Sequence, residues 1–297
     1  MHSWNAFYCP PALVCLVMMS FSKLFFGTAG IPISTPAPTT LSGINQVRSL
    51  GLDAMELEFV HSINLTEAKA KEVGAVAQQQ KVILTCHGQY FINLHSAEKA
   101  KKEASIARIL SAAKIADLAG AVSMTFHAGF YMGSSPKETF DDIKAQLELI
   151  TKKLNSEKVG ITIRPETTGK ATQFGSLEEL LSLCSAFDNC LPCIDFSHLH
   201  ARSAGKINSL EEFRGVLEKS EKALGKEFLK NLHCHVSGIE YTAKGERRHL
   251  ELEKSDFNYK ALLMALKEFD CRGIVICESP NIEQDALLLK NTFESLK

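Results

Sequence analysis

From Leu24 onwards, short apolar runs alternate with amphipathic segments along most of the chain. Buried parallel strands read as continuous apolar runs, whereas amphipathic helices return an apolar residue every three or four positions. The pattern predicts eight strands, at residues 24–27, 54–59, 82–86, 122–126, 159–164, 191–194, 228–235 and 273–277.

Each predicted strand is followed by a predicted helix, and most of these helices begin just after a Ser, Thr or Asn that can cap them. The predicted helices are residues 41–50, 65–77, 97–118, 137–154, 177–186, 210–224, 256–269 and 283–296. Eight successive β-α pairs predict the α/β fold of a (β/α)8 TIM barrel, formed as a single domain by residues 23–297. A doubly wound sheet fits less well, because no Gly-rich phosphate-binding turn follows the first strand.

The first 22 residues do not fit this pattern. Their apolar stretch from Ala12 to Met19 is short, follows Pro10 and Pro11, and has no Lys or Arg before it. It therefore matches neither a transmembrane helix nor a signal peptide. We expect a dispensable or mis-assigned leader at residues 1–22, with a targeting segment as the alternative.

Composition and charge exclude several classes of protein. A hydrophobic content of 45% and a charged content of 23% are typical of a soluble globular protein. A net charge of −1 does not draw the protein to nucleic acid or to a membrane, so any anion-binding surface is local. Nine cysteines, an odd number scattered along the chain, indicate a reducing, cytoplasmic setting without disulfides.

Potential metal ligands follow six consecutive predicted strands. Because the carboxyl ends of parallel strands meet at one face of a barrel, these side chains are expected to converge on one pocket. Imidazole and carboxylate groups are ligands of Zn²⁺ and Mn²⁺, so the spacing predicts a site for several metal ions. The residues are His87, His127, Glu166, Asp195, His233 and Glu278.

Three of these positions carry further detail. Glu166 follows Pro165, and its two carboxylate oxygens could bridge two metals. Asp195 and His198 form a DxxH sequence that reaches adjacent metals. His233 and His235 alternate with Cys234, so both are expected to face the barrel interior.

Other polar residues near strand ends have ordinary explanations. His200 is expected to be a solvated loop residue. Glu56 and Glu58, on the second predicted strand, fit a functional role and a structural hydrogen bond about equally well.

From Phe26 to Lys290 the chain resembles endonuclease IV, a family of zinc-dependent apurinic/apyrimidinic endonucleases. Six short segments together carry the resemblance: HGQYFINL from His87, FHAG from Phe126, PETTG from Pro165, CIDFSH from Cys193, LH from Leu232 and CESP from Cys277.

The resemblance implies a three-zinc cluster that cuts double-stranded DNA on the 5′ side of an abasic site, as in base excision repair. It places His87 and His127 on one zinc, and makes Glu166 the bridge that positions a zinc-bridging hydroxide. It assigns Asp195, His233 and Glu278 to the second zinc, and His198 to a third zinc together with a loop after strand seven.

That loop departs from the family pattern. The family has Asp-x-His, whereas this chain reads GERRHL from Gly245. Matching His249 to the family His puts Arg247 where the Asp is expected, and Glu246 could replace it only with a local shift. Two metals are therefore a safer expectation than three, with Mn²⁺ as an alternative to Zn²⁺, and Arg247 or Arg248 becomes a candidate cation for the scissile phosphate.

DNA binding would depend on local residues of the rim loops. The candidates are Tyr90, Lys170, Arg202, Arg247 and Arg248. The alternative for the cations is that they are ordinary solvated loop charges. We expect a monomer with no membrane partner.

Two other functions stay open. A sugar isomerase or epimerase on the same barrel would use one or two Mn²⁺ or Mg²⁺ ions held mainly by carboxylates. A non-catalytic metal-binding barrel would have its metals saturated by protein ligands. The number of histidines favours zinc-dependent hydrolysis over the isomerase. Six or seven ligands are too few to saturate three metals, which argues against the non-catalytic barrel.

Overall fold

The computed structural model describes residues 21–296, so the expectation for the leader lies almost entirely outside the described residues. Within them, the strands are β1 (Leu24–Ala29), β2 (Ala54–Glu58), β3 (Ile83–His87), β4 (Ser123–Phe126), β5 (Gly129–Phe130), β6 (Thr162–Pro165), β7 (Gln173–Phe174), β8 (Ile194–Asp195), β9 (Leu232–Val236), β10 (Gly238–Thr242), β11 (Gly245–Leu250) and β12 (Gly273–Cys277). Eight of them are parallel and form one curled sheet in the order β6-β4-β3-β2-β1-β12-β9-β8. Single bridges from Ile163 to Cys190 and from Glu166 to Cys193 join its two edges and close the barrel.

Helices pack around the outside of this sheet. Several begin at a capping box, in which the side chain before the helix binds a backbone N–H and a side chain of the first turn returns the bond. The helices are α1 (Thr40–Ser49), α2 (Glu67–Gln80), α3 (Lys99–Leu118), α4 (Pro136–Ser156), α5 (Leu177–Cys184), α6 (Phe196–Arg202), α7 (Leu210–Leu224), α8 (Lys226–Leu229), α9 (Tyr259–Glu268) and α10 (Glu283–Ser295).

The predicted TIM barrel is confirmed, and the differences lie between the main elements. The seventh predicted strand begins four residues too early, because Lys226–Leu229 form the short helix α8 before β9 starts at Leu232. The long loop predicted after it is the antiparallel hairpin β10–β11. The short helix α6 is absent from the predicted set, because it has only seven residues and its polar side chains are buried together with its apolar ones, so no amphipathic period shows.

Apolar side chains fill the space between sheet and helices. The cysteines of the described residues are buried and form no disulfide. No helix in the described part of the chain is long and apolar enough to span a membrane.

Candidate metal centre

Side chains from six barrel strands and one hairpin meet at the carboxyl end of the barrel. Their potential ligand atoms form three groups, in each of which all atoms lie within 4.8 Å of one another. The first group is His87, His127 and Glu166; the second is Glu166, Asp195, His235 and Glu278; the third is His198, Glu246 and His249.

The spacing within each group fits a divalent metal ion. Ligands about 2.1 Å from a tetrahedral Zn²⁺ lie about 3.4 Å apart. In the first group, His87 Nε2 and His127 Nε2 lie 3.3 and 3.5 Å from Glu166 Oε2. In the second group, His235 Nδ1 lies 3.3 Å from Glu166 Oε1 and 3.2 Å from a Glu278 oxygen.

The third group has the same spacing. His198 Nε2 lies 3.5 Å from Glu246 Oε2 and 3.5 Å from His249 Nε2. Several buried ligand atoms of the second group, Glu166 Oε1, Asp195 Oδ2 and His235 Nδ1, have no hydrogen-bond partner among the described residues. Leaving such atoms unpaired in a protein interior is costly, so their convergence suits the binding of a cation.

Glu166 connects the first two groups. Its Oε2 faces the imidazoles of His87 and His127, and its Oε1 faces His235. The side chain is fully buried at the carboxyl end of β6, and its backbone N–H donates to the carbonyl of Phe126. One carboxylate therefore offers one oxygen to each group, and the bridging role of Glu166 stays a prediction.

The second ring nitrogen of most of these histidines lies against a backbone carbonyl. His87 Nδ1 lies 2.7 Å from the Gly88 carbonyl, His198 Nδ1 3.0 Å from that of Thr167, and His249 Nδ1 3.1 Å from that of Glu278. A carbonyl in this position keeps the proton on Nδ1 and leaves the Nε2 lone pair free for a metal.

On β9 the structure places His235, and not His233, with the other ligands. The sheet register pairs His235 with Asp195 and sets His233 beside Ile274, two residues closer to the amino end. Both histidines face inward, as expected, but two residues of strand amount to about 6.6 Å. The prediction that His233 holds the second metal is therefore wrong.

The hairpin corrects the expectation for Arg247. A bulge opposite Glu240 and Tyr241 adds Arg247 as an extra residue in β11. Arg247 and Arg248 then both bind Glu240, at 2.6 and 2.7 Å, on the face away from the third group. The bulge is the local shift that lets Glu246 and His249 face His198 together. Glu246, and not Arg247, therefore occupies the position at which the family pattern has Asp.

Burial and proximity shift the pKa values at this site. Burial opposes a charge on His87, but its bond to Glu166 outweighs that and raises its pKa to about 10. Burial raises the pKa of Asp195 to about 7, against the pull of His198. Burial also acts on Glu166, but the charges of His235 and His127 hold its pKa well below the usual range. Carboxylates and imidazoles with strongly shifted pKa values mark a functional site.

The chain matches the model of xylose isomerase-like TIM barrels over residues 44–297. It belongs to this family. An uncharacterized protein of Methanocaldococcus jannaschii is 46% identical over 92% of this chain and 98% of its own length. The probable endonuclease 4 of Mycoplasma genitalium is 23% identical over 67% of each chain.

Solved structures of the xylose isomerase-like family share the fold. Endonuclease IV from Thermus thermophilus superposes with a TM-score of 0.69 and 19% identity, over 91% of this chain and 100% of that one. A D-tagatose 3-epimerase-like protein gives a TM-score of 0.69 and 20% identity, over 90% and 96%. The family therefore includes endonucleases and epimerases, and their shared barrel does not separate the two activities.

The residues predicted to contact DNA differ in how exposed and how hydrogen-bonded they are in this xylose isomerase-like barrel. Tyr90 is 56% exposed and lies beside His87, with ring centroids 5.8 Å apart. Arg202 is half-buried, and its Nη1 donates to oxygens of the loop that follows β6. Arg202 therefore fixes that loop, and a DNA contact through Nη1 would have to break these bonds. Tyr90 and Lys170, which is half-buried on the same loop, stay predictions.

Two further polar side chains near the site are fully buried. His200 is fully buried, and its ring nitrogens lie 3.1 Å from the Ile207 carbonyl and 3.0 Å from Asp256 Oδ1, so it is not a solvated loop residue. Glu56 is fully buried beneath the second group. The alternation of polar residues at 56 and 58 in an otherwise apolar strand was the only sequence signal for the position of Glu56.

Proposed function

We propose that this protein is a zinc-dependent endonuclease that hydrolyses the DNA phosphodiester 5′ to an abasic site. The observation that carries the proposal is the third ligand group, His198, Glu246 and His249, next to the two groups that Glu166 bridges. A sugar epimerase with one or two metals has no need of a third group. Three adjacent metal positions suit a phosphate, whose attacking and leaving oxygens both need charge stabilisation.

When bound, the metals would supply an activated water and neutralise charge on the phosphate. The chain's part is to hold them at fixed spacing. Glu166 would set the distance between the first two positions, and Asp195 would link the second and third. The Oδ1 atom of Asp195 caps α6 by accepting from the His198 N–H at 2.7 Å, and its Oδ2 lies 3.2 Å from His198 Nδ1.

Apolar side chains on the rim favour a substrate with stacked bases. Large exposed hydrophobic residues are unusual on a solvated loop, and here most of them follow β1, β3 and β4 around the site. Flat or flexible apolar groups can stack on bases or fill the gap that a missing base leaves. These residues are Ile33, Tyr90, Phe91, Phe130 and Met132.

The proposed partner is therefore double-stranded DNA with an abasic site. All three ligand groups come from one chain, so the proposed enzyme needs no second subunit to complete its site. The overall charge of −1 leaves recognition to the metals and the rim rather than to a basic surface.

A sugar epimerase is the second candidate, and the second ligand group is what favours it. Three carboxylates and one imidazole would by themselves suit a single Mn²⁺. The D-tagatose 3-epimerase-like structure also superposes as well as the endonuclease does.

The deciding experiment uses purified, metal-quantified protein and a duplex oligonucleotide with one tetrahydrofuran abasic analogue. We expect a nick on its 5′ side that a chelator abolishes, and no nick in an undamaged duplex of the same sequence. Fully zinc-loaded protein that does not nick would overturn the proposal, and the same preparation with Mn²⁺ would then be assayed on ketohexoses.

A further inference from the structure

Beneath the second ligand group lies a fully buried carboxylate, Glu56, at the middle of β2. Its Oε1 is 3.0 Å from His235 Nε2 and its Oε2 is 3.2 Å from His233 Nε2. The hydroxyl of Thr85 donates to Oε2 at 2.7 Å. No Lys or Arg forms an ion pair with Glu56 among the described residues, so the polar groups facing it are two imidazoles and one hydroxyl.

The two nitrogens of His235 have different neighbours. Nδ1 faces oxygens of Glu166 and Glu278 at 3.3 and 3.2 Å, inside the second ligand group. Nε2 faces Glu56 on the opposite side of the ring. A neutral imidazole has one N–H and one lone pair, so only the tautomer with its proton on Nε2 can offer Nδ1 to a metal.

His235 also differs from the other histidines of the centre. The non-ligand nitrogens of His87 and His249 lie against backbone carbonyls, and that of His198 lies against a carbonyl and against Asp195 Oδ2. The non-ligand nitrogen of His235 instead faces a carboxylate outside the three ligand groups. A carboxylate accepts the N–H more strongly than a carbonyl and makes the opposite nitrogen more basic.

We propose that Glu56 is a positioning residue that holds His235 in the Nε2–H tautomer and orients its Nδ1 towards the second metal. This role rests on the proposed metal centre but names a residue outside the three ligand groups. His233 completes the arrangement, because its Nδ1 lies 2.9 Å from Ser123 Oγ and its Nε2 faces the other Glu56 oxygen. Each oxygen of Glu56 thus faces the nitrogen of a different imidazole.

The test is the zinc affinity of Glu56→Gln, which keeps the shape of the side chain and removes its charge. Mutation of a residue that orients a metal-binding histidine typically weakens metal binding by about 10- to 100-fold. We expect competition with a chelator to show one zinc weakened by that factor and the other two unchanged. Nitrogen-15 histidine spectra of the zinc-loaded wild type should show His235 protonated at Nε2.

Glu283→Gln is the matched control. Glu283 is an equally buried carboxylate on α10, but it accepts from the backbone N–H groups of Ile33 and Ser34 and faces none of the histidines. Its variant should bind all zinc ions with wild-type affinity. Equal affinities in Glu56→Gln and wild type would overturn the positioning role.

A second outcome would also overturn it. The atoms of Cys193, His233 and His235 lie within 4.8 Å of one another below the main site. A further zinc that disappears in Cys193→Ala would mean that these atoms bind metal themselves. Zinc affinity is measured without DNA, so a wild-type protein that binds zinc and fails to nick would refute the proposed nuclease and leave the role of Glu56 standing.

Discussion

The first two ligand groups lie mainly on barrel strands, whereas two of the three residues of the third group lie on a hairpin. Most ligands of the first two sit at the ends of barrel strands, and His87, Glu166, Asp195 and His235 are almost fully buried. In the third group, Glu246 and His249 come from the hairpin β10–β11, and their side chains are 17% and 26% exposed. The register between neighbouring barrel strands fixes the positions of the strand-borne side chains. A hairpin can gain or lose a residue and still bring a carboxylate and an imidazole to the same place.

The bulge in β11 shows that the hairpin tolerates such a change in length. One extra residue turns Arg247 and Arg248 to one face and brings Glu246 and His249 to the other. The same insertion in a barrel strand would move the later side chains of that strand to the wrong face of the sheet. Spacing in the sequence therefore predicts which face a residue of a barrel strand occupies, but it does not do so on the bulged hairpin.

The largest effect is expected from Glu166→Gln, which removes the bridge between the two strand-borne groups. Loss of several kcal/mol of charge stabilisation corresponds to a fall of about a thousand-fold in turnover. The nicking rate on the tetrahydrofuran duplex measures it, with circular dichroism to check that the variant is folded. A folded variant with near-normal turnover would mean that Glu166 is not the bridge.

A smaller effect is expected from Glu246→Gln, which removes one ligand of the hairpin-borne group. The variant should bind one zinc fewer and turn over about a hundred-fold more slowly, because an electrostatic contact to the phosphate is lost. Metal analysis after dialysis gives the zinc count. Arg247→Asp is the matched control and should leave the count unchanged; a gain of zinc in that variant would show that Arg247, and not Glu246, occupies the ligand position.

The smallest expected effect is a change with pH in the stability of the metal-free protein. The pKa of His87 rises from 6.5 to about 10 on folding, so its stabilising proton is fully bound below pH 6.5 and is lost as the pH rises through 10. The pKa of Asp195 rises from 3.8 to about 7, so its contribution also falls as the pH rises towards 7. The metal-free protein should therefore be less stable at pH 9 than at pH 6, by urea unfolding.

Zinc should reverse that trend, because it replaces the lost protons at the strand-borne groups. Zinc binding should also weaken as the pH falls, by up to about tenfold per pH unit for each proton released. Unfolding curves of the zinc-loaded protein that run parallel to those of the metal-free protein between pH 6 and pH 9 would contradict both statements.

The sequence could predict the barrel because each strand is a short apolar run and most helices carry a capping residue at the start. It could also predict that His87, His127, Glu166, Asp195 and Glu278 converge, since all of them follow barrel strands. It could not separate His233 from His235, because both face inward and only the pairing with β8 and β12 sets their depth.

The sequence by itself determined the fold and the convergence of His87, His127, Glu166, Asp195 and Glu278, because periodicity and strand ends are local properties of the chain. Only the tertiary structure decided the depth of each ligand in the barrel, the face of the hairpin that carries Glu246, and the contact between Glu56 and His235. Each of these depends on the register between segments far apart in sequence, and register follows from the packing of the whole barrel.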